Sequence, residues 1–170
     1  GTMEAYAYEG GYYALPETQV FNMLFYRTDI FAELGLTVPE TWDDLLFDVL
    51  PVLQQNNMTA AVGNLPDMAT SVSGSAFITL LYQMGGQMYT DDQLTAALDT
   101  QVAYEAFRTA VEFYRDYGFP REYDFMNRFR TGEIPLGIAP YATYNNLTVG
   151  APELNGLWEM TTLPGFRRED

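Results

Sequence analysis

Two tyrosines near the carboxyl end of the chain could offer flat aromatic surfaces to a ligand. Tyr141 follows Pro140 and an apolar segment, Pro135 to Ala139, that we predict to be a buried strand, and Tyr144 lies three residues further on. Because α/β proteins bind ligands beyond the carboxyl ends of strands, Tyr141 should lie beside a binding site. Either ring could stack on the apolar face of a sugar, or could instead fill part of the core.

Polar side chains that could direct hydrogen bonds occur in two other segments. Thr18, Gln19 and Asn22 lie beside a second apolar run, and Asp67 lies in a loop rich in turn-forming residues. Hydroxyl and amide groups both donate and accept, as sugar hydroxyls require, but they could equally bond backbone groups at a turn. A carboxylate such as Asp67 can accept from two adjacent hydroxyls, although a solvated loop acid is the alternative.

Catalytic and metal chemistry find little support in the sequence. The chain has no His and no Cys, so the usual neutral-pH base and any thiol nucleophile are missing. Neighbouring acids such as Asp43–Asp44, Asp91–Asp92 and Glu169–Asp170 point in different directions, whereas glycosidases need two carboxyls about 5–10 Å apart across a cleft. The Asp91–Asp92 turn lacks the residues of a calcium loop. We expect no enzymatic activity, no cofactor and no metal.

The composition indicates a globular domain that avoids polyanions. With 170 residues, of which 48% are hydrophobic, the chain can bury a full core as one domain. Its net charge of −15 repels nucleic acids and anionic membrane surfaces. No stretch approaches the roughly 20 apolar residues of a membrane span. The thirteen tyrosines could form a binding surface or the rim of a core.

The elements that would position these side chains are clearest early in the chain. Residues 22–26 form an apolar run typical of a strand buried on both faces, and a short helix over 29–34 should end at Gly35. Thr41 and Asp44 have the spacing of a capping box, which predicts a second helix over 42–55. Trp42, in its first turn, should pack into the core.

The rest of the chain alternates strands and helices, which predicts an α/β layered domain. We expect Met84 and Met88 to fill the core rather than to bind a ligand. The other predicted elements are a hairpin over 5–14, a short strand over 59–62, helices over 77–84, 100–117 and 124–130, and a last strand over 158–163.

Four segments together resemble the family 1 extracellular solute-binding proteins, which capture sugars and related solutes for ABC importers. "PETWDDL" (39–45) is similar to a helix start of that family, and "LLYQMGGQMY" (80–89) to its helix with a Gly-Gly turn. "FMNRFRTGEIPLGIAPYATY" (125–144) is similar to the segment in which a strand brings an aromatic ring to the cleft. "WEMTTLPGF" (158–166) is similar to the strand that returns towards the hinge.

The resemblance implies a lobe of the periplasmic-binding-protein type II class, with a mixed central sheet flanked by helices. Residues 1–170 would form a single domain, lobe two, without the first lobe or the C-terminal helices of the family. The ligand-binding residues would be Tyr141, Gln19, Asp67, Tyr144, Thr18 and Asn22.

The same resemblance implies a function. The protein would bind a small solute, most often a carbohydrate, between two lobes and deliver it to an ABC permease. It would be extracellular or periplasmic, exported by an upstream signal and anchored as a lipoprotein. A carbohydrate-active enzyme domain and a protein-interaction module are the alternatives.

Overall fold

A four-stranded mixed sheet lies at the centre of the structure, a computed structural model that describes residues 3, 6–15, 17, 20–63, 76–92 and 94–166. The sheet has the strand order β4–β5–β3–β6. β3 is antiparallel to both of its neighbours, β5 and β6, whereas β4 is parallel to β5. A separate two-stranded hairpin, β1 and β2, precedes the sheet in the chain. The strands are β1 (Ala7–Tyr8), β2 (Gly11–Tyr12), β3 (Asn22–Arg27), β4 (Ala60–Ala61), β5 (Leu136–Pro140) and β6 (Trp158–Thr161).

Helices cover both faces of this sheet, which confirms the predicted mixed sheet with flanking helices. No helix in the described part of the chain is both long and apolar enough to cross a bilayer. A π-helical segment, Asp44–Val49, leads directly into α2, and a 3₁₀ turn, Pro152–Leu154, follows α6. The α-helices are α1 (Thr28–Leu34), α2 (Leu50–Gln55), α3 (Ala76–Gln83), α4 (Gln101–Arg115), α5 (Phe125–Thr131) and α6 (Thr143–Gly150).

Each face of β3 packs into its own apolar cluster. Leu24 belongs to the larger cluster, with the helices α2, α3 and α4, and Phe25 belongs to the smaller one, with α5 and α6. Both side chains are almost completely buried. The prediction of a strand buried on both faces is therefore confirmed, because its alternating side chains meet helices above and below the sheet. Met84 and Met88 pack against the larger cluster, as expected.

The capping box and the core position of Trp42 are both confirmed. The Thr41 hydroxyl accepts from the Asp44 N–H at 3.1 Å, and the Asp44 carboxylate accepts from the Thr41 N–H at 3.0 Å. The Trp42 side chain is 3% exposed, and its indole N–H donates to Gln83 at 2.7 Å. Gln83 in turn donates to the Pro164 carbonyl at 2.8 Å. The start of the second helix is thus joined to α3 and to the segment after β6.

One sequence prediction needs correction, and one helix was not foreseen. The last strand ends at Thr161 rather than at residue 163, because Gly165 exchanges backbone hydrogen bonds with Glu40 and Trp42 instead of continuing along β3. Helix α6 was not predicted, since its sequence contains few strong helix formers. Tyr144 therefore lies in the first turn of a helix.

Candidate functional site

Three strands meet at one edge of the sheet, where two of the candidate residues, Asn22 and Tyr141, lie. Asn22, the first residue of β3, pairs with Pro140, the last residue of β5. The Tyr141 N–H donates to the Phe21 carbonyl at 2.9 Å, which continues the ladder beyond both strands. Because β4 is parallel to β5, its carboxyl end lies at this edge as well. The structure therefore brings Asn22 and Tyr141 together.

An aromatic row extends from this edge along α6 to β6. It consists of four side chains, Phe21, Tyr141, Tyr144 and Trp158. The Phe21 and Tyr141 rings stack with centroids 5.0 Å apart, and Tyr141 and Tyr144 are nearly parallel at 6.1 Å. Tyr144 then meets Trp158 edge to face at 5.6 Å. The first three rings therefore have similar orientations and lie in one stack.

Much of this aromatic row is open to solvent. Phe21 is 43% exposed, Tyr141 is 41% exposed and Tyr144 is 40% exposed. Rings that merely filled the core would be far more buried, as Trp42 is. Exposed aromatic rings that are held by neighbouring rings can accept a flat apolar surface at little cost in side-chain entropy. The row is therefore suited to stack against the apolar face of a ligand ring.

The chain that leaves β4 is also fixed at this edge. The Tyr114 hydroxyl donates to the Gly63 carbonyl at 2.9 Å, and the Gly63 N–H donates to the Tyr123 oxygen at 3.0 Å. Gly63 has a φ of +130°, which residues with a side chain rarely adopt. Asp67 follows four residues later, but it lies outside the described residues. Thr18 and Gln19 lie outside them as well.

In each of the two acidic pairs that the structure describes, one member has a structural partner. Asp44 is part of the capping box, and Asp92 accepts from the Thr90 hydroxyl at 2.5 Å and from the Leu94 N–H at 3.0 Å. Those bonds lower the pKa of Asp92 below its ordinary value. Within the described ranges, no three acidic side chains cluster closely enough to hold a metal ion. Glu169 and Asp170 lie outside those ranges.

Tyr26 and Glu159 form a polar pair on the sheet. The Tyr26 hydroxyl donates to the Glu159 carboxylate at 2.8 Å, between β3 and β6. Burial of the phenol, together with this hydrogen bond, raises the pKa of Tyr26 above its ordinary value. Tyr26 therefore remains a neutral donor at physiological pH, and it fixes the position of a carboxylate on the outer strand.

Phe21 and Trp158 are members of the row that the sequence analysis did not select. Phe21 stands between Gln19 and Asn22, so its position beside candidate polar residues was a usable signal. Trp158 begins the last strand, and only the antiparallel pairing of β6 with β3 brings it near Tyr144. That pairing joins residues more than 130 positions apart, which local patterns do not encode.

Solved structures of solute-binding proteins have the same fold. A search of curated protein sequences finds no match. An ABC transporter solute-binding protein from Thermotoga lettingae, bound with α-D-tagatose, is 22% identical and covers 96% of this chain, with a TM-score of 0.78. Maltose-bound MalE3 of T. maritima is 19% identical and covers 98%, with a TM-score of 0.77. A solute-binding protein from Agrobacterium radiobacter, in complex with ribitol, is 24% identical and covers 94%, with a TM-score of 0.68.

The likeness extends over a part of each solved structure. The aligned region is 44%, 45% and 41% of these three chains, respectively, so this chain spans less than half of their length. The TM-scores of these three structures confirm the fold class as that of a periplasmic-binding-protein type II lobe. The sequence model of the bacterial extracellular solute-binding proteins matches residues 1–165. The chain thus belongs to the family of bacterial extracellular solute-binding proteins.

Proposed function

We propose that this chain is lobe two of a two-lobed solute-binding protein that captures a carbohydrate for an ABC importer. The observation that carries the proposal is the exposed aromatic row at the edge where β3, β4 and β5 meet. A second lobe that faces this edge would form a cleft, and closure of the two lobes would enclose the solute. No chemical step is part of the proposal.

Carbohydrate is the proposed solute class because aromatic rings and polar groups occur together at this edge. Sugar rings have apolar C–H faces that stack on aromatic rings, and their hydroxyls need groups that donate and accept. Tyr141 and Tyr144 would supply the rings. The relatives bound with tagatose, maltose and ribitol support the same class. The polar partners would be Asn22, Thr18, Gln19 and Asp67.

The remaining parts of the proposal concern the full-length protein. Residues 1–170 would act as a single lobe, and the closed two-lobed form would be presented to the membrane subunits of the permease. The family's description supports an extracellular or periplasmic location. A lipid anchor on the full-length protein is a further part of the proposal, and metabolic labelling with a fatty-acid analogue tests it.

The test of the solute class is a thermal-shift screen of the full-length, two-lobed protein against mono- and oligosaccharides. A ligand at a free concentration of 100 times its Kd should stabilise the folded protein by about 2.7 kcal/mol. Tyr141→Ala should weaken binding of the stabilising sugar about tenfold or more, equivalent to about 1.4 kcal/mol. Tyr82→Ala is the matched control, because Tyr82 is a 53% exposed tyrosine on α3, away from this edge.

Two results would contradict parts of this proposal. Stabilisation by peptides or polyamines, with none by sugars, would overturn the carbohydrate class and leave the family assignment standing. Equal losses of affinity in Tyr141→Ala and Tyr82→Ala would show that the aromatic row is not the binding surface.

A further inference from the structure

A pocket of about 380 Å³ opens between α6 and β6, on the flank of the sheet. Its size is near the lower end of the roughly 300–1,000 Å³ typical of small-molecule sites. β6 is an outer strand of the sheet, so the pocket opens at the sheet's side and not at the edge where β3 and β5 meet. The lining residues are Tyr144, Thr148, Asn155, Gly156, Trp158, Glu159 and Met160.

The pocket combines an aromatic corner with neutral hydrogen-bonding groups. The Tyr144 and Trp158 rings meet at 69°, so they provide two walls of different orientation. Asn155 adds an amide that can donate and accept. The Thr148 hydroxyl donates to the Tyr144 carbonyl at 2.8 Å, and its oxygen can still accept a hydrogen bond. Glu159 also lines the pocket, but its carboxylate accepts from the Tyr26 hydroxyl, and the other lining residues are uncharged.

Tyr144 connects this pocket to the candidate cleft edge. One neighbour of its ring is Tyr141, at 6.1 Å, and another is Trp158, at 5.6 Å. A ligand longer than one ring could therefore contact aromatic surface from the sheet edge to the pocket. A monosaccharide held at Tyr141 would leave the pocket unused.

We propose that the pocket is an outer subsite for one neutral sugar ring, and that the solute is an oligosaccharide that runs along the aromatic row. The inference rests on the carbohydrate class of the proposed function. The pocket itself is complete within this chain, so the chain alone should bind sugar there, weakly. That property allows the subsite to be tested without the other lobe.

The chain carries a natural reporter for the test. It has two tryptophans, of which Trp158 lines the pocket and Trp42 is 3% exposed in the core. Their two indole N–H signals can be followed in a ¹H–¹⁵N spectrum during titration with neutral tetrasaccharides of α-1,4-glucan, β-1,4-glucan and xylan. We expect the Trp158 signal to shift with at least one of them while the Trp42 signal stays fixed.

Three variants distinguish binding in the pocket from binding at the sheet edge. Thr148→Arg places a long side chain in the pocket and should weaken binding of the tetrasaccharide about tenfold or more. Val149→Arg is the matched control, because Val149 is the next residue of α6, is 81% exposed and does not line the pocket. It should change the affinity less than about twofold. In Tyr141→Ala, the Trp158 shift should persist. An unchanged Trp42 signal reports that each variant is folded.

The outcomes separate this inference from the proposed function. The subsite is overturned if none of the three tetrasaccharides shifts the Trp158 signal. It is also overturned if the shift is lost in Tyr141→Ala but kept in Thr148→Arg, because the signal would then come from the sheet edge. A two-lobed protein that is stabilised by sugars while its isolated lobe shows no Trp158 shift would retain the proposed function and lose the subsite.

Discussion

Arg27 joins the end of β3 to the end of α5 through its guanidinium group. One nitrogen donates to the carbonyls of Phe129 and Arg130, at 3.1 and 3.3 Å, and two others donate to Asp29 at 2.8 and 2.6 Å. The last carbonyls of a helix have no partners within the helix, and a cation near them also interacts favourably with the helix dipole. Arg27 is only 8% exposed, so solvent cannot easily replace these bonds.

We expect Arg27→Met to destabilise the protein by about 1–3 kcal/mol, because the two carbonyls at the end of α5 and the carboxylate of Asp29 each lose the guanidinium as a donor. Urea unfolding at neutral pH measures the change. Arg115→Met is the control, since Arg115 pairs with Asp116 on an exposed surface, where ion pairs contribute little. Similar unfolding midpoints for Arg27→Met and the unsubstituted chain would show that Arg27 is not a structural residue.

The lowered pKa of Asp29 predicts that the stability of the fold depends on pH. The hydrogen bonds from Arg27 hold the pKa of Asp29 below its ordinary value. Its carboxylate therefore stabilises the fold above the pKa of the unfolded chain, and that stabilisation is lost as pH falls through the lower, folded pKa. We expect Asp29→Asn to be less stable than the unsubstituted chain at pH 7. The difference between their free energies of unfolding should narrow below about pH 4. A difference in unfolding free energy that stayed constant down to pH 2 would show that the Asp29 carboxylate does not cause the pH dependence.

Individual residues differ in how well the sequence predicts their roles. Tyr141 could be selected because a strand and a proline precede it, and those local features fix its place at the end of β5. The role of Arg27 was not predictable, because its partners in α5 lie about 100 positions away. The contact between Tyr144 and Trp158 was not predictable either, because it depends on the pairing of β6 with β3, more than 130 positions away. Side chains whose partners are distant in sequence depend on topology, which local spacing does not specify.

Helices in this chain follow their local signals where caps and apolar spacing agree. The first turn at Thr41 shows this, because the Thr41 hydroxyl bonds the Asp44 N–H and is itself nearly buried. The helix then widens over Asp44–Val49, where the Leu50 N–H bonds the Leu45 carbonyl, five residues earlier. Pro51 gives the reason, because its ring cannot be accommodated against the carbonyl four residues before it in a regular helix.

We expect Thr41→Val to destabilise the protein by about 1 kcal/mol, since valine keeps the shape of threonine but cannot accept the capping hydrogen bond. Thr131→Val serves as the control, because the Thr131 hydroxyl donates to a carbonyl at the exposed end of α5. Thermal unfolding of both variants at one pH provides the comparison. If the two variants lost equal stability, the capping box would contribute no more than an exposed hydroxyl does.

Helix α6 shows where prediction of an element fails. Its sequence, TYNNLTVG, lacks strong helix formers apart from one leucine and contains a glycine and β-branched residues. Its first residues have no side-chain cap. Leu147, however, is fully buried against the cluster around Phe25 and Phe129. Packing against the sheet therefore overrides weak local propensity, and this helix supplies both Tyr144 and one wall of the flank pocket.

At the scale of the molecule, the proposed function makes the aromatic row one side of a cleft between two lobes. Three of its rings, those of Phe21, Tyr141 and Tyr144, are about two fifths exposed. The chain spans less than half the length of the solved relatives with the same fold. A ligand that stacks on one surface keeps its other face in water. A second lobe would bury that other face and supply further hydrogen bonds, and sites that bind small molecules tightly bury most of the ligand's surface.

The resulting prediction is a large difference in affinity between the isolated chain and the two-lobed protein. We expect the isolated chain to bind its sugar with a millimolar or weaker Kd, since ring stacking must offset the lost freedom of the ligand with half of the contacts. A micromolar Kd in the two-lobed protein would correspond to about 4.1 kcal/mol of additional binding free energy. Isothermal titration calorimetry of both proteins with the same sugar measures this difference. Submicromolar binding by the isolated chain would show that the site is complete in this lobe, and the cleft would then have no role in affinity.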